Sequence, residues 1–365
     1  MRKSVGIITM HKVINFGSAL QAYALQQVVR GLGYDVELID YKFPPQKKVG
    51  VITKIKRYFG KFFNLTSGFR KLNLFDSFWR DFFVLSKSYD SEESIRKNPP
   101  VYDIYLTGSD QVWNTKYTKD DCSFLLAFSE SENKVSYASS FSTKKIDEKY
   151  IHNYKRYLNE YKYLSSREIS GVGLLKDLTL RDAHLVLDPT LLLDSKEWNS
   201  IADSVEDKYK GRKYILLYVM KYSFDPTCMI LKLASEIQSR LGIKVISLSE
   251  MPSFDGLDMD IEVGIGPIQF LQIVRNASYM ITASFHGTAF AINYNIPFSS
   301  VIVDSDFEDD RQYSLLQVLS ATNRSISMNS FDFSCVGLNM SFVEINKNLE
   351  LMREVSLDYL RNSLL

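Results

Sequence analysis

The chain has 365 residues, of which 45% are hydrophobic and 24% are charged. This length exceeds one ordinary core and predicts two domains of roughly 150 to 200 residues each, and the composition is typical of folded rather than disordered protein. The formal net charge of +1 gives no overall attraction to nucleic acid. We therefore expect no nucleic-acid partner and expect any anion to be bound by a local cluster.

The spacing of the cysteines and the hydropathy of the chain predict where in the cell the protein is located. Cys122, Cys228 and Cys335 are widely spaced and show neither a CxxC nor a Cys/His ligand spacing. We predict no disulfide framework and no zinc site, and we expect three reduced packing residues in a cytoplasmic protein. The sequence contains no run of about 18 apolar residues, so we expect no membrane span.

The first forty residues have the pattern of one βαβ unit. The strand VGIITM is followed by a loop, by the helix ALQAYALQQVVRGL that ends at Gly33, and by the strand DVELIDY. Such units build parallel sheets, which bind ligands at the carboxyl ends of their strands. The loop at 15–18 contains Gly17 and precedes a helix N-terminus. We predict a ligand-binding loop there, although it lacks the GxGxxG pattern.

Residues 44–85 interrupt this pattern. Pro44-Pro45 ends the unit, and basic residues then alternate with aromatic ones, with apolar side chains at helical spacing. We predict one or two amphipathic helices with a basic face. Two interpretations of 47–85 stay open. One is a peripheral contact with the inner face of an anionic membrane, and the other is an insertion whose aromatic side chains pack on the protein while its lysines are solvated.

The remaining chain alternates strands with helices in two series. VYDIYLTG, KVSYASSF and HLVLDPTLLL extend the first, and KYILLYVM, KVISLS, YMITAS and PFSSVIVD form the second. We predict an α/β fold of two Rossmann-like domains that face each other across a central cleft. The first domain is 1–205, with the insertion near 44–85, and the second is 206–340. Residues 341–365 predict a terminal helix that packs back across the lobes.

Polar residues directly follow four of the predicted strands. They form the segments 15–18, 108–111, 165–168 and 283–287. The carboxyl ends of parallel strands line the cleft in doubly wound folds. We therefore expect the four segments to outline one site built from both lobes.

His286 and Asp110 are the candidates for acid–base chemistry. His286 follows the strand YMITAS and opens a helix, where free N–H groups favour a bound anion and an imidazole can donate a proton. The alternative for His286 is a structural histidine whose hydrogen bonds are satisfied by capping the helix. Asp110, in GSDQVWN, can act as a base toward a hydroxyl or orient a histidine. Its alternative is an ordinary turn or N-cap aspartate.

Two arginines are candidates for anion binding. Arg167 follows YKYLSS, and Arg311 lies in DDRQYSLL. A guanidinium can bind a phosphate or carboxylate through two parallel hydrogen bonds. A surface ion pair is the alternative for each arginine, with Glu168 as the partner of Arg167. We predict no metal site, because the sequence shows no cluster of metal-ligating residues.

These segments belong to an ordered series of motifs: NFGSALQAYAL, GSDQVWN, SYASSF, SSRE, LDPTLLL, VGIGPIQFL, ASFHGTAFAI and RQYSLL. The series resembles that of the polysaccharide pyruvyl transferase family and runs across nearly the whole chain. The resemblance implies a glycosyltransferase-B-like fold. It also implies an enzyme that moves a pyruvyl group from phosphoenolpyruvate to a sugar of a lipid-linked polysaccharide precursor, forms a cyclic ketal, releases phosphate and needs no cofactor.

The resemblance also implies roles for individual residues. In the family, the donor is bound by an arginine that matches Arg167 and by an Arg-Leu-His run that matches Ser284-Phe285-His286. Serine replaces the arginine of that run here. Either Arg311 or another basic group supplies the missing charge, or the donor differs from that of the characterised family members. His286 is the candidate acid for the methylene carbon, and Asp110 is the candidate base for the attacking hydroxyl. The candidate donor-binding residues are Arg167, Ser284, Phe285, His286, Gly287 and Arg311, and the candidate acceptor-binding residues are Asn15, Gly17, Ser109, Asp110 and Gln111.

Two other functions remain open at this point. A nucleotide-sugar-dependent glycosyltransferase can use the same two-lobed fold, because fold alone does not determine function. A carbohydrate-binding or scaffold protein of an envelope assembly complex is the non-enzymatic alternative, which the basic aromatic stretch supports. The sequence makes no prediction of the oligomeric state.

Overall fold

The computed structural model describes residues 2–43, 66–221, 223–329 and 336–365. The strands of its first sheet are β1 (Ser4–Ile8), β2 (Asp35–Tyr41), β3 (Leu85–Tyr89), β4 (Ile104–Thr107) and β5 (Lys134–Ser136). Their order is β3-β2-β1-β4-β5, and every neighbouring pair is parallel. The chain order reverses between β1 and β4, and such a reversal opens a ligand crevice at the carboxyl ends of the strands.

Two short strands lead from this sheet to a second one. β6 (Ser165–Ser166) pairs in parallel with β7 (His184–Leu185). The second sheet consists of β8 (Tyr214–Tyr218), β9 (Lys244–Ser247), β10 (Met259–Ile261), β11 (Tyr279–Thr282), β12 (Phe298–Ile302) and β13 (Ser325–Ser327). Its order is β10-β9-β8-β11-β12-β13, again all parallel. We call the elements around the first sheet the N-terminal lobe and those around the second the C-terminal lobe.

Helices connect and cover the strands. They are α1 (Phe16–Gly31), α2 (Ser67–Phe82), α3 (Glu92–Lys97), α4 (Thr115–Thr118), α5 (Glu148–Leu158), α6 (Ile169–Thr179), α7 (Ser195–Ala202), α8 (Thr227–Leu241), α9 (Pro267–Arg275), α10 (Phe285–Asn293), α11 (Arg311–Val318) and α12 (Val343–Ser363). β1, β4, β8 and β11 are almost completely buried, as expected for strands with helices on both faces.

Aromatic stacking joins the two lobes beside the cleft. Phe16 of α1 stacks on Phe270 of α9 with 4.7 Å between the ring centroids, and the ring of Tyr218 from β8 lies 5.8 Å from that of Phe16. These large rings bury apolar area and hold the start of α1 against the C-terminal lobe. The carboxyl ends of β1 and β8 therefore face the same space.

The described part of the insertion packs on the protein. Phe75 and Phe78 of α2 are buried, and Phe75 stacks on Phe16 with 5.6 Å between the ring centroids. In α2 the packed interpretation of the aromatic side chains is therefore the one observed. The membrane prediction for 47–85 rests on lysines, most of which fall in 44–65. These residues lie outside the described residues.

The terminal helix α12 bonds to segments of both lobes. The hydroxyl of Tyr359 donates to the backbone oxygen of Ser136 at 2.8 Å. Arg353 donates to the backbone oxygen of Leu191 at 2.6 Å and to Oδ1 of Asn293, in α10, at 3.1 Å. In the described part of the chain, no helix has the length and apolar content to cross a bilayer.

The cysteine prediction is half right. Cys122 is buried, but Cys228 is exposed. Cys228 occupies the second position of α8, before Ile230, the first buried residue of that helix, so the prediction of a packing role for it is wrong. Cys335 lies outside the described residues.

Candidate active site

A cavity of about 340 Å³ lies between the two lobes. Three of the four predicted polar segments, 15–18, 108–111 and 283–287, contribute to its wall together with the chain after β8 and β12, whereas the segment 165–168 does not line it. Of the predicted site residues, those on the wall are Asn15, Asp110, Gln111, Ser284, Phe285, His286 and Arg311. Lining polar residues that were not named as site residues are Ser18, Lys116, Tyr117, Ser223, Asp309 and Gln312. The predicted residues Gly17, Ser109, Arg167 and Gly287 do not line this cavity.

Asp110 is held in a strained backbone conformation at the cavity. Its φ is +73°, in the left-handed region that side chains other than glycine seldom adopt. Ser140 donates its backbone N–H to the Asp110 carbonyl at 3.0 Å, and the Ser18 hydroxyl donates to Oδ2. Such strain persists where the surroundings enforce it, and it clusters at functional sites. The carboxylate is thus fixed in place beside the start of α1.

Arg167 is fully buried behind Asp110. Its Nη1 donates to Oδ2 of Asp188 at 2.6 Å, and its Nη2 lies 3.5 Å from Oδ1 of Asp110. The guanidinium also lies 4.3 Å from the ring centroid of Phe285. A surface pair with Glu168 is therefore wrong, because both side chains are completely buried and Nε lies 3.9 Å from Oε2.

Asp188 is the central residue that the sequence reasoning missed. Its Oδ2 accepts from Arg167 and, at 2.8 Å, from Ser109 Oγ, while its Oδ1 accepts from Thr190. Burial alone would raise the pKa of Asp188, but His286 and Arg167 hold this pKa well below its ordinary value. The residue stands in LDPT, where Asp before Pro is typical of a turn. Its place just past β7 was the available signal.

His286 lies in the first turn of α10 and is nearly buried. Its Nε2 is 3.8 Å from Oδ2 of Asp188, beyond hydrogen-bond length, and no hydrogen-bond partner meets this nitrogen within the described ranges. Gly17 of α1 presses against the other side of the ring, since a Cβ on Gly17 would lie 2.0 Å from Nδ1 of His286. The histidine is thus positioned by a carboxylate on one side and by the opposite lobe on the other.

Ser284 caps the helix that carries His286. Its side chain accepts from the backbone N–H of Gly287 at 3.4 Å, and its backbone is extended as an N-cap requires. Gly287 itself is needed for close packing, because a Cβ there would lie 2.2 Å from Oγ1 of Thr282. Serine at this position satisfies the helix end and places no cation in the cavity.

Among the described residues, one arginine and one lysine line the cavity, Arg311 and Lys116. Arg311 opens α11 and forms a two-bond pair with Asp309, from Nε at 2.7 Å and from Nη2 at 2.6 Å. Burial would lower the pKa of Arg311, but the adjacent Asp309 raises it above its ordinary value. The guanidinium therefore stays charged at the cavity. Its third nitrogen, Nη1, takes no part in the two bonds to Asp309.

Glu168 is a completely buried carboxylate next to Arg167. Its Oε1 accepts from the backbone N–H groups of Phe141 at 2.8 Å and Ser142 at 3.2 Å, whereas Oε2 has no hydrogen-bond partner among the described residues. Burial raises the pKa of Glu168 to about 7, although Arg167 acts in the opposite direction. No three His, Cys, Asp or Glu side chains in the described part of the chain converge to hold a metal ion.

The fold belongs to the glycosyltransferase-B class, with two facing α/β lobes and a cavity between them. UDP-GlcNAc 2-epimerase from Neisseria meningitidis, solved with UDP-GlcNAc, has 8% identity and a TM-score of 0.52, and the alignment covers 97% of this chain and 94% of that one. UDP-GlcNAc 2-epimerase from Methanocaldococcus jannaschii, solved with UDP-GlcNAc and UDP, has 14% identity and a TM-score of 0.51, with coverage of 96% and 92%. At these identities the likeness shows the fold alone.

The family follows from the sequence itself. Residues 15–305 match the family model described as polysaccharide pyruvyl transferase. This match spans well over half of the chain, so the chain belongs to the polysaccharide pyruvyl transferase family and is a transferase. No curated protein matches it. The predicted family, fold class and enzyme class are thus confirmed, and the roles of individual residues stay predictions.

Proposed function

We propose that this protein transfers a pyruvyl group from phosphoenolpyruvate to a sugar of a lipid-linked polysaccharide precursor. The observation that carries the proposal is His286, which lies at a helix N-terminus in the inter-lobe cavity with Asp188 at 3.8 Å. An imidazole in a substrate cavity can donate a proton to a reacting carbon. Asp110 lines the same cavity and can accept one.

The proposed reaction starts with proton transfer from His286 to the methylene carbon of phosphoenolpyruvate. That carbon becomes a methyl group, and positive charge develops on the adjacent carbon. The oxygen of one sugar hydroxyl bonds to this carbon, phosphate leaves with its bridging oxygen, and the oxygen of a second hydroxyl closes the ketal ring. Asp110 takes the proton of one hydroxyl, and this proton replaces the one that His286 gave. The proton of the second hydroxyl leaves with the phosphate.

Arg311 is the proposed substitute for the cation that Ser284 lacks. It lies on the same cavity wall as Ser284 and His286, and it stays charged. Lys116 lines this cavity as well and adds a second cation for the donor, which carries a phosphate and a carboxylate. Arg167 is engaged by Asp188 and Asp110, so its main proposed role is to hold these carboxylates. A direct contact between Arg167 and the donor stays a prediction.

The test compares two donors in one assay. The purified protein is incubated with a panel of glycosides and either phosphoenolpyruvate or UDP-sugars. The proposal predicts release of inorganic phosphate and a ketal product with the first donor, and no release of UDP from the second. His286→Gln should lose at least about 100-fold in rate, whereas the exposed His152→Gln should not. Release of UDP without phosphate would establish a nucleotide-sugar glycosyltransferase instead.

A further inference from the structure

A second cavity adjoins the one that holds His286. Its volume is about 330 Å³, and the two cavities share Asn15 and Met220 on their walls. One side of the second cavity is formed by the starts of α1 and α2, and the other side by the chain after β8 and β9. It therefore also lies between the lobes, next to the proposed site of reaction.

The wall of this second cavity combines aromatic, cationic and acidic side chains. Lys71 contributes an ammonium group and Glu250 a carboxylate, next to the buried rings of Phe16 and Tyr218. The ammonium group lies 4.7 Å from the ring centroid of Phe16. Burial lowers the pKa of Lys71, and no carboxylate of the described residues forms an ion pair with it. Lys71 is thus a partly desolvated donor that faces a cavity.

The mixture of charges indicates which class of ligand fits. Glu250 shares the wall with Lys71, so this wall offers a hydrogen-bond donor and a hydrogen-bond acceptor side by side. A sugar carries hydroxyl groups that both donate and accept hydrogen bonds. An ammonium group and a carboxylate on one wall satisfy those two roles of a hydroxyl.

We propose that this second cavity binds the sugar residue next to the one that is pyruvylated, with Lys71 and Glu250 as its polar contacts. The inference rests on the proposed function, because it assigns a subsite for the acceptor of that reaction. Because the two cavities adjoin at Asn15 and Met220, the proposal places neighbouring residues of one saccharide chain in them. Specificity for a saccharide longer than one residue follows from this arrangement.

The test measures the advantage of a longer acceptor. Methyl glycosides of hexoses, N-acetylhexosamines and hexuronic acids are compared with their matching disaccharides, using phosphoenolpyruvate as the donor. We expect the wild type to have a higher kcat/KM for a disaccharide than for its monosaccharide. Lys71→Met and Glu250→Gln should each lose about 10-fold or more of kcat/KM for the disaccharide, and they should keep wild-type kinetics for the monosaccharide and for phosphoenolpyruvate.

Arg70→Met is the matched control. Arg70 precedes Lys71 on α2, is exposed and does not line the cavity, so its variant should behave as the wild type. Equal kcat/KM for monosaccharides and disaccharides, or unchanged Lys71→Met and Glu250→Gln kinetics, would overturn the subsite. So would loss of inhibition by inorganic pyrophosphate in Lys71→Met with unchanged disaccharide kinetics, since this result indicates an anion site.

Direct binding separates this proposal from the proposed function. Saturation-transfer NMR of the same disaccharides can be recorded with the wild type and with both variants, whether or not phosphoenolpyruvate is consumed. A signal that Lys71→Met loses and Arg70→Met retains supports the subsite even if no ketal forms. Ketal formation together with equal binding by wild type and variants refutes the subsite and leaves the proposed function standing.

Discussion

Gly17→Ala tests how His286, the proposed general acid, is positioned. A Cβ at this position would lie 2.0 Å from Nδ1 and 2.1 Å from Cγ of His286, whereas ordinary van der Waals contacts begin at 3.4 Å. The ring or the start of α1 must therefore move by more than about 1 Å, and a displacement of that size can cost about 100-fold in rate. Alanine favours a helix more than glycine does, so α1 itself should not weaken.

The assay is the rate of phosphate release from phosphoenolpyruvate with a saturating acceptor. We expect kcat to fall about 100-fold in Gly17→Ala while circular dichroism shows a folded protein. Gly31→Ala is the control, because it makes the same change at the end of the same helix, where a Cβ would meet nothing within 4 Å. Its kcat should equal that of the wild type. Wild-type kcat in Gly17→Ala would refute the view that His286 works from the position observed here.

Three further predictions concern the carboxylates and cations of the site. Because burial raises the pKa of Glu168 from 4.5 to about 7, its stabilising contribution is complete below pH 4.5 and is lost as the pH rises through 7. Urea unfolding should show Glu168→Gln gaining about 2 kcal/mol over the wild type between pH 5 and pH 8, and a pH-independent difference would contradict the assignment. Asp188→Asn should lower kcat about 100-fold with little change in the KM for phosphoenolpyruvate, and unchanged kcat would reduce Asp188 to a structural residue. Arg311→Gln should raise the KM for phosphoenolpyruvate at least 10-fold, and Ser284→Arg in that background should restore part of it, whereas an increase in acceptor KM alone would reverse the assignment.

Local sequence patterns predicted most of the fold. The buried runs VGIITM and KYILLYVM became β1 and β8. Three of the four polar segments that follow strands line one cavity, because parallel strands share the direction of their carboxyl ends. The start of α1 was predicted too late. Asn15 accepts from the backbone N–H of Ser18 and begins the helix at Phe16, so Gly17 lies in the first helical turn.

Local sequence patterns could not predict which side chains that are distant in sequence come into contact. Arg167 was expected on a surface or against the donor, and its burial depends on Asp188 and Phe285, which approach it only in the folded chain. Gly17 had the appearance of a flexible loop residue, whereas the structure places it against His286 from the opposite lobe. Contacts of this kind follow from tertiary packing and leave no periodic signal in the sequence.

The central claim is that His286 delivers a proton to phosphoenolpyruvate during ketal formation, and the reaction in D₂O tests it most directly. Mass spectrometry of the glycoside product should show a gain of one ketal-linked pyruvate that carries a single deuterium in its methyl group, with one phosphate released for each product formed. A product without pyruvate, formed from a UDP-sugar, would contradict the assigned reaction. A ketal without solvent deuterium would contradict the assigned proton transfer.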